Sequence, residues 1–272
     1  MAPAGSRAPP LVSVIIPVYN GERYIEETIR SVMAQTGPSW EIIAVNDGSK
    51  DKSLGILIGL AAEEPRLHVI SMKNGGVSSA RNAGVAGARG RYIAFLDQDD
   101  LWVPEKLSRQ LARFRENPEL GIVFTNESVI DASGAIVKSK VLSLSEKNRG
   151  WIFEELVFEC FMPVSSVMMM REIFDRVGGF DPHLALAEDY DFFLKAVRIV
   201  PVDYVDEPLL LYREHGQSGT YTKVDQIISE SFQILHGWRE KDPAFFRQHL
   251  FQYFVFWLKF EALKIKVLLR RE

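Results

Sequence analysis

The feature that most constrains this chain is an alternation through its first hundred residues. Short apolar runs rich in β-branched side chains trade places with segments of helical period. Residues 11–18 (LVSVIIPV) form the first run, and such a run reads as a strand buried on both faces, as in a parallel sheet. Residues 22–35 then carry Tyr24, Ile25, Ile29, Val32 and Met33 at helical spacing. A second strand at 40–45 ends in Asn46-Asp47-Gly48-Ser49, a dense turn signal. Helical patterns at 51–63 and 77–88 separate further strands at 67–71 and 92–96. The alternation predicts an α/β fold with a Rossmann-like, doubly wound sheet flanked by helices.

The second half is less regular. Residues 104–116 read as a helix with Pro104 in its first turn. Residues 121–125 and 165–170 read as strands, the latter using Met168, Met169 and Met170 as core filler. Residues 188–198 read as a helix, and two long helical patterns follow residue 222. With no internal repeat or flexible linker, the halves are expected to share one core.

Composition narrows the function. The 272 residues suit one large α/β domain, and 47% hydrophobic with 25% charged residues excludes a disordered or fibrous chain. Lys plus Arg is 32 against 36 for Asp plus Glu, net −4, which argues against a nucleic-acid partner. The one cysteine, Cys160, permits neither a disulfide nor a cysteine zinc site within one chain, so a reducing, cytoplasmic setting fits. Residues 1–10 (MAPAGSRAPP) lack the apolar core of a signal peptide and are expected to be a disordered tail. No run reaches the ~18 apolar residues of a spanning helix.

Four clusters carry possible chemistry. Asp97, Asp99 and Asp100 crowd the end of a predicted buried strand. They fit either a divalent cation completed by diphosphate oxygens or a solvated acidic turn before the next helix. Glu188, Asp189 and Asp191 open a helix, as simple capping charges or as a source of a general base. Arg213, His215 and Ser218 suit a phosphate, and His215 a metal, yet a histidine beside glycine is often only a surface residue. Asn74-Gly75-Gly76 precedes a helix bearing Arg81, either a phosphate approach or a plain turn. The first strand leads into Pro17-Val18-Tyr19-Asn20-Gly21 rather than G-x-G-x-x-G, and no G-x-x-x-x-G-K-[ST] occurs, which argues against dinucleotide and P-loop enzymes.

Taken in order, seven segments resemble family 2 of the inverting glycosyltransferases, whose fold is the GT-A type with a mixed sheet. They are SVIIPVYNGERYI (13–25), VNDGSKD (45–51), NGGVSSARNAG (74–84), FLDQDDLWVPEKL (95–107), GGFD (178–181), AEDYDFFLKA (187–196) and YREHGQS (212–218). The resemblance implies a catalytic domain over 11–218, with a nucleotide-binding half at 11–110 and an acceptor half at 111–218. A helical C-terminal segment, 219–272, would follow. It implies that Pro17, Tyr19 and Glu22 line the nucleotide pocket, with Tyr19 against the base. Asp47 would bond the base, Asn74 and Arg81 would close the pocket, and Gln98 would sit in it at the variable position of the D-x-D pair. Asp99 is the implied metal ligand, with Asp97 and His215 beside it and Asp97 facing ribose or sugar. Asp189 is the implied base, while Arg213, His215 and Ser218 match the loop that closes on the diphosphate. Trp102 and Glu188 would face the acceptor.

The implied activity is Mg²⁺- or Mn²⁺-dependent transfer from a nucleoside-diphosphate sugar, a UDP-sugar first, to a hydroxyl of a glycan, glycolipid or surface polysaccharide. Transfer to a polyprenyl phosphate and a non-catalytic sugar-nucleotide or glycan-binding subunit are the alternatives. The segment from Phe245 to Leu269 is apolar nearly all round, with Gln252, Lys259, Lys266 and Arg270 on one stripe. It must bury against its own domain, a second copy, or an anionic membrane surface at the cytoplasmic face.

Overall fold

The computed structural model describes residues 9–216, 223–252, 254, 255 and 258. Nine strands form one mixed sheet in the order β3-β2-β1-β4-β8-β6-β9-β5, with β7 beside β6. The strands are β1 Val12–Val18, β2 Trp40–Asp47, β3 Leu67–Met72, β4 Tyr92–Phe95, β5 Leu101–Trp102, β6 Ile122–Ile130, β7 Ile136–Lys138, β8 Met168–Met170 and β9 Val202–Arg213. β1 pairs in parallel with β2 and β4, and β2 with β3, which is the doubly wound half that the alternation predicts. Antiparallel β8 then joins β4 to β6, and β6 runs parallel to β9.

The helices are α1 Ile25–Met33, α2 Ser53–Glu63, α3 Val77–Gly87, α4 Lys106–Glu116, α5 Phe153–Phe158, α6 Arg171–Val177, α7 Glu188–Ala196, α8 Val224–Lys241 and α9 Pro243–Gln248. Neighbouring strand residues feed opposite faces. Val14 and Ile16 pack with Ile25 and Ile29 of α1, Leu57 of α2 and Leu111 of α4, whereas Ile15 packs with Val85 of α3 and Phe192 of α7. This explains the apolar runs of β1, β2 and β4, which are buried along their whole length, whereas the edge strand β3 is only partly covered. Gly84 of α3 is required there, because a Cβ on it would lie 2.5 Å from the Ile15 side chain.

Several expectations change. The stretch read as a strand at 165–170 begins as a 3-10 turn, Val164–Ser166, and only Met168–Met170 pair. β6 continues past Thr125 to Ile130. β9, α5 and α6 carried no clear pattern. The second C-terminal helix starts anew at Pro243, because proline has no N–H to continue α8 and Asp242 caps the new helix by accepting the Phe245 N–H. Phe245 and Phe246 pack on their own domain: Phe245 lies 5.3 Å from Phe153, and Phe246 is buried. Leu250, Phe251, Phe254 and Leu258 are exposed. The basic stripe at Lys259, Lys266 and Arg270 lies outside the described residues.

Candidate active site

A cleft of about 760 Å³ opens at the carboxyl ends of β1, β2 and β4, within the size range of ligand sites and at the place where open α/β sheets bind them. Its lining includes Pro17, Tyr19, Asp47, Asn74, Arg81, Asp97, Gln98, Asp99, Glu188 and Asp189. Thus the sheet brings together residues from five of the seven sequence segments.

At the β2 end, Asp47 holds the turn into α3. Its Oδ1 accepts the Gly75 N–H at 2.7 Å, and its Oδ2 accepts the Gly76 N–H at 2.9 Å and an Asn74 Nδ2–H at 3.1 Å. Gly76 sits at φ +86°, a conformation that favours glycine, so this turn cannot easily use another residue. Asp47 and Asn74 therefore form a prebuilt wall, with the carboxylate turned onto its own chain.

At the β4 end, Arg81 reaches from α3 into the buried floor. Its Nη1 donates to Glu188 Oε1 at 2.6 Å and its Nη2 to Asp97 Oδ1 at 2.7 Å. Those carboxylates hold the guanidinium charged despite its burial. Arg81 Nε and Glu188 Oε2 are buried without a partner. His215 Nε2 meets Asp99 Oδ2 at 2.7 Å. Burial first, then the neighbouring charge of Asp97, raises the Asp99 carboxyl, with His215 opposing. Asp100 is fully enclosed and raised well above the usual range by burial and by Asp99 and Asp97.

Asp189, at the start of α7, faces the same cleft. Its Oδ1 accepts the Tyr190 N–H at 2.7 Å. Burial and the Glu188 charge push its carboxyl up to about 7, against the pull of Arg81. The loop before it is fixed from α8: Glu230 Oε2 accepts the N–H groups of Ala185, Leu186 and Ala187 at 3.1, 2.9 and 3.0 Å. Lys223 and Ile227 also line the cleft, so the segment after residue 218 contributes to the site.

Three expected site residues sit elsewhere. Glu22 is exposed and outside the lining; its Oε2 accepts the Lys52 N–H at 2.9 Å and so steadies the start of α2. Trp102 is buried beneath the acidic turn, donating its indole N–H to the Ser165 carbonyl at 2.8 Å. Arg213 is buried too. Its Nε donates to the Asp99 carbonyl at 2.8 Å, its Nη2 to Glu27 at 2.7 Å, and its backbone N–H to Asp100 at 2.9 Å. It shapes the acidic turn from behind and does not line the cleft. Ser218 lies outside the described residues.

Gln98 lines the cleft, but its amide pairs with the backbone of Tyr19. Ser165, like Lys223 and Ile227, carries no signal in the sequence: its Oγ accepts the Asp97 N–H at 3.0 Å, and nothing in the Ser165-Ser166 pair announces that.

The profile described as glycosyl transferase family 2 matches residues 13–178. An uncharacterised glycosyltransferase of Rickettsia typhi is 34% identical over 83% of this chain and 70% of its own length. Chondroitin synthase of Escherichia coli is 30% identical over 84% of this chain but only 32% of its own length. Among these relatives the chain spans from about two thirds to less than one third of the partner's length. Staphylococcus aureus TarS, solved in complex with UDP-GlcNAc, superposes with a TM-score of 0.68 at 22% identity, covering 82% of this chain and 65% of that one, and shares the GT-A fold. Fold, segment order and profile agree, and the chain belongs to glycosyl transferase family 2.

Proposed function

We propose that this protein is a metal-dependent, inverting transferase that moves a sugar from a nucleoside-diphosphate sugar, a UDP-sugar first, to an acceptor hydroxyl in glycan, glycolipid or surface-polysaccharide synthesis in the cytoplasm. The observation that carries the reading is Asp189: a carboxyl raised to about 7 in a cleft that Asp97 and Asp99 also line. A base with its pKa near the working pH is both available and strong enough to take a proton. With Oδ1 held by the Tyr190 N–H, Oδ2 is the oxygen left for the acceptor proton. As that proton moves to Asp189, the acceptor oxygen attacks the anomeric carbon opposite the departing diphosphate, and one displacement inverts the centre.

The donor set fits a hard cation. Among the described residues no three His, Cys, Asp or Glu side chains converge into a closed cage. Mg²⁺ and Mn²⁺ sites of this kind need only one or two carboxylates, the remaining ligands being phosphate oxygens and water. Asp99, with Asp97 beside it, would hold the ion; burial and then the Asp97 charge raise the Asp99 carboxyl, and a cation relieves both. When bound, such an ion stabilises the charge growing on the diphosphate. The UDP and UDP-GlcNAc complexes of TarS support a UDP-sugar as donor. Among the described residues no helix is long and apolar enough to cross a membrane.

The test is a donor screen that follows nucleoside diphosphate release from UDP-, GDP- and dTDP-sugars with Mg²⁺ or Mn²⁺. Release from one class, abolished by EDTA, is expected. Release of pyrophosphate, or full turnover in EDTA, defeats the reading.

A further inference from the structure

The middle residue of Asp97-Gln98-Asp99 does more than fill a variable position. Gln98 Oε1 accepts the Tyr19 N–H at 2.9 Å, and Gln98 Nε2 donates to the Tyr19 carbonyl at 3.1 Å. The side-chain amide thus imitates a strand neighbour for one residue just beyond β1, across 79 positions of sequence. Its own backbone is fixed as well: Thr28 Oγ1 lies 2.8 Å from the Gln98 carbonyl and 2.9 Å from that of Asp100. Beneath the amide is Gly21, where a Cβ would lie 2.4 Å from Gln98 Oε1. Tyr19 itself is 47% exposed and lines the cleft, so little besides its backbone limits where the ring stands.

We propose that Gln98 is a positioning residue: its amide, given room by Gly21, locks the Tyr19 backbone to the acidic turn and thereby fixes the span between the two ends of the nucleotide site. The inference rests on the proposed nucleotide-sugar reading. It requires no contact between Gln98 and the ligand. A nucleoside diphosphate binds by its base and its diphosphate together at least cost when the two protein elements are held at the matching span, and at an added cost in ordering when they are not. Losing the clamp therefore weakens a ligand that touches both ends and spares one that touches only the acidic turn. A merely structural role weakens both.

The experiment measures binding of UDP and of inorganic pyrophosphate, each with Mn²⁺, by titration calorimetry on the full chain. Gln98→Ala is expected to weaken UDP about tenfold, the scale of two lost neutral hydrogen bonds, while leaving pyrophosphate within about twofold. Gln98→Met keeps the bulk and loses both hydrogen bonds without adding charge, so it should match the alanine variant, and it serves if that variant does not fold. Gly21→Ala should match Gln98→Ala, and the double variant should be no worse than either, because the two changes disable one device. Unchanged UDP affinity in Gln98→Ala and Gln98→Met, equal losses for UDP and pyrophosphate, or additive losses in the double variant would each overturn the clamp. Wild-type protein that binds none of UDP, GDP or dTDP defeats the nucleotide-sugar reading itself, and the clamp with it.

Discussion

Asp47 at the β2 end of the cleft and Asp99 at the β4 end are both acidic, both near a strand terminus, and held in opposite ways. Asp47 receives three N–H donors from Asn74, Gly75 and Gly76, so both its oxygens are satisfied before any ligand arrives. Asp99 shares a small volume with Asp97 and Asp100, and burial and mutual repulsion raise its carboxyl. One end is finished by the protein's own backbone, and the other is left in electrostatic debt. The contrast teaches that charge alone does not locate the chemistry: the unsettled carboxylates do, because only they gain by a change of partner.

The largest effect that tests the contrast comes from Asp99→Asn. Nucleoside diphosphate release should fall by about 10³-fold, on the scale of a lost electrostatic stabiliser, while the melting temperature at pH 7.5 stays equal or rises. The sign follows from linkage. A carboxyl raised in the fold contributes stability below its unfolded pKa and loses it as pH climbs through the folded value, so an uncharged amide there escapes that loss. A clear drop in melting temperature would show that Asp99 is a structural residue like Asp47.

Next in size is Asp189→Asn, expected to slow transfer by ~10²-fold with UDP affinity retained. In the wild type, kcat/KM should rise with pH and level off above about 7 as Asp189 of the free enzyme loses its proton, and the variant should lack that limb. At pH 8 the variant should also melt above the wild type, the advantage shrinking toward pH 5, by the same sign argument. Loss of UDP binding with normal residual chemistry would place the base elsewhere.

Asp47→Asn reverses the pattern and is smaller. An amide oxygen cannot serve three donors, so about 1–3 kcal/mol of stability should be lost in denaturant melts, with weaker nucleotide binding. Smallest is Glu22→Ala, which should change release by less than about threefold and cost roughly 1 kcal/mol, since only the Lys52 N–H loses a partner. A large catalytic loss there would return Glu22 to the pocket.

The parallel half was legible because its inner strands β1, β2 and β4 are covered on both faces and so write largely apolar runs. The other half hid its strands for physical reasons. In β6, Thr125, Asn126, Glu127 and Ser128 are all buried, yet T-N-E-S reads as a turn. Asn126 survives there by bonding Leu142 and Asp206. β9 carries Asp206, Glu207 and Pro208 in mid-strand, and the structure accommodates them with register shifts against Thr125 to Glu127. Asp97, Asp99 and Asp189 were readable because crowded acids stand out in a sequence. The place of Arg213 is not legible in the sequence, because its type suits a phosphate and an internal carboxylate equally well, and only folding turns the guanidinium onto Glu27 and the Asp99 carbonyl. The Gln98 amide left no trace, since a side chain bonding a backbone 79 residues away has no local signature.

The three N–H groups gathered by Glu230 bear on where this module can be cut or joined. The family profile match ends at residue 178, eleven residues short of Asp189, and the last sequence segment that resembles the family ends at 218. A chimera spliced at 178 would inherit the acidic turn but lose Asp189 and the loop before it, and one spliced at 218 would keep that loop while leaving its three N–H donors without Glu230. Grafts of this domain, and truncations made to crystallise it, should keep the chain through Lys241, or engineer a carboxylate to stand where Glu230 does.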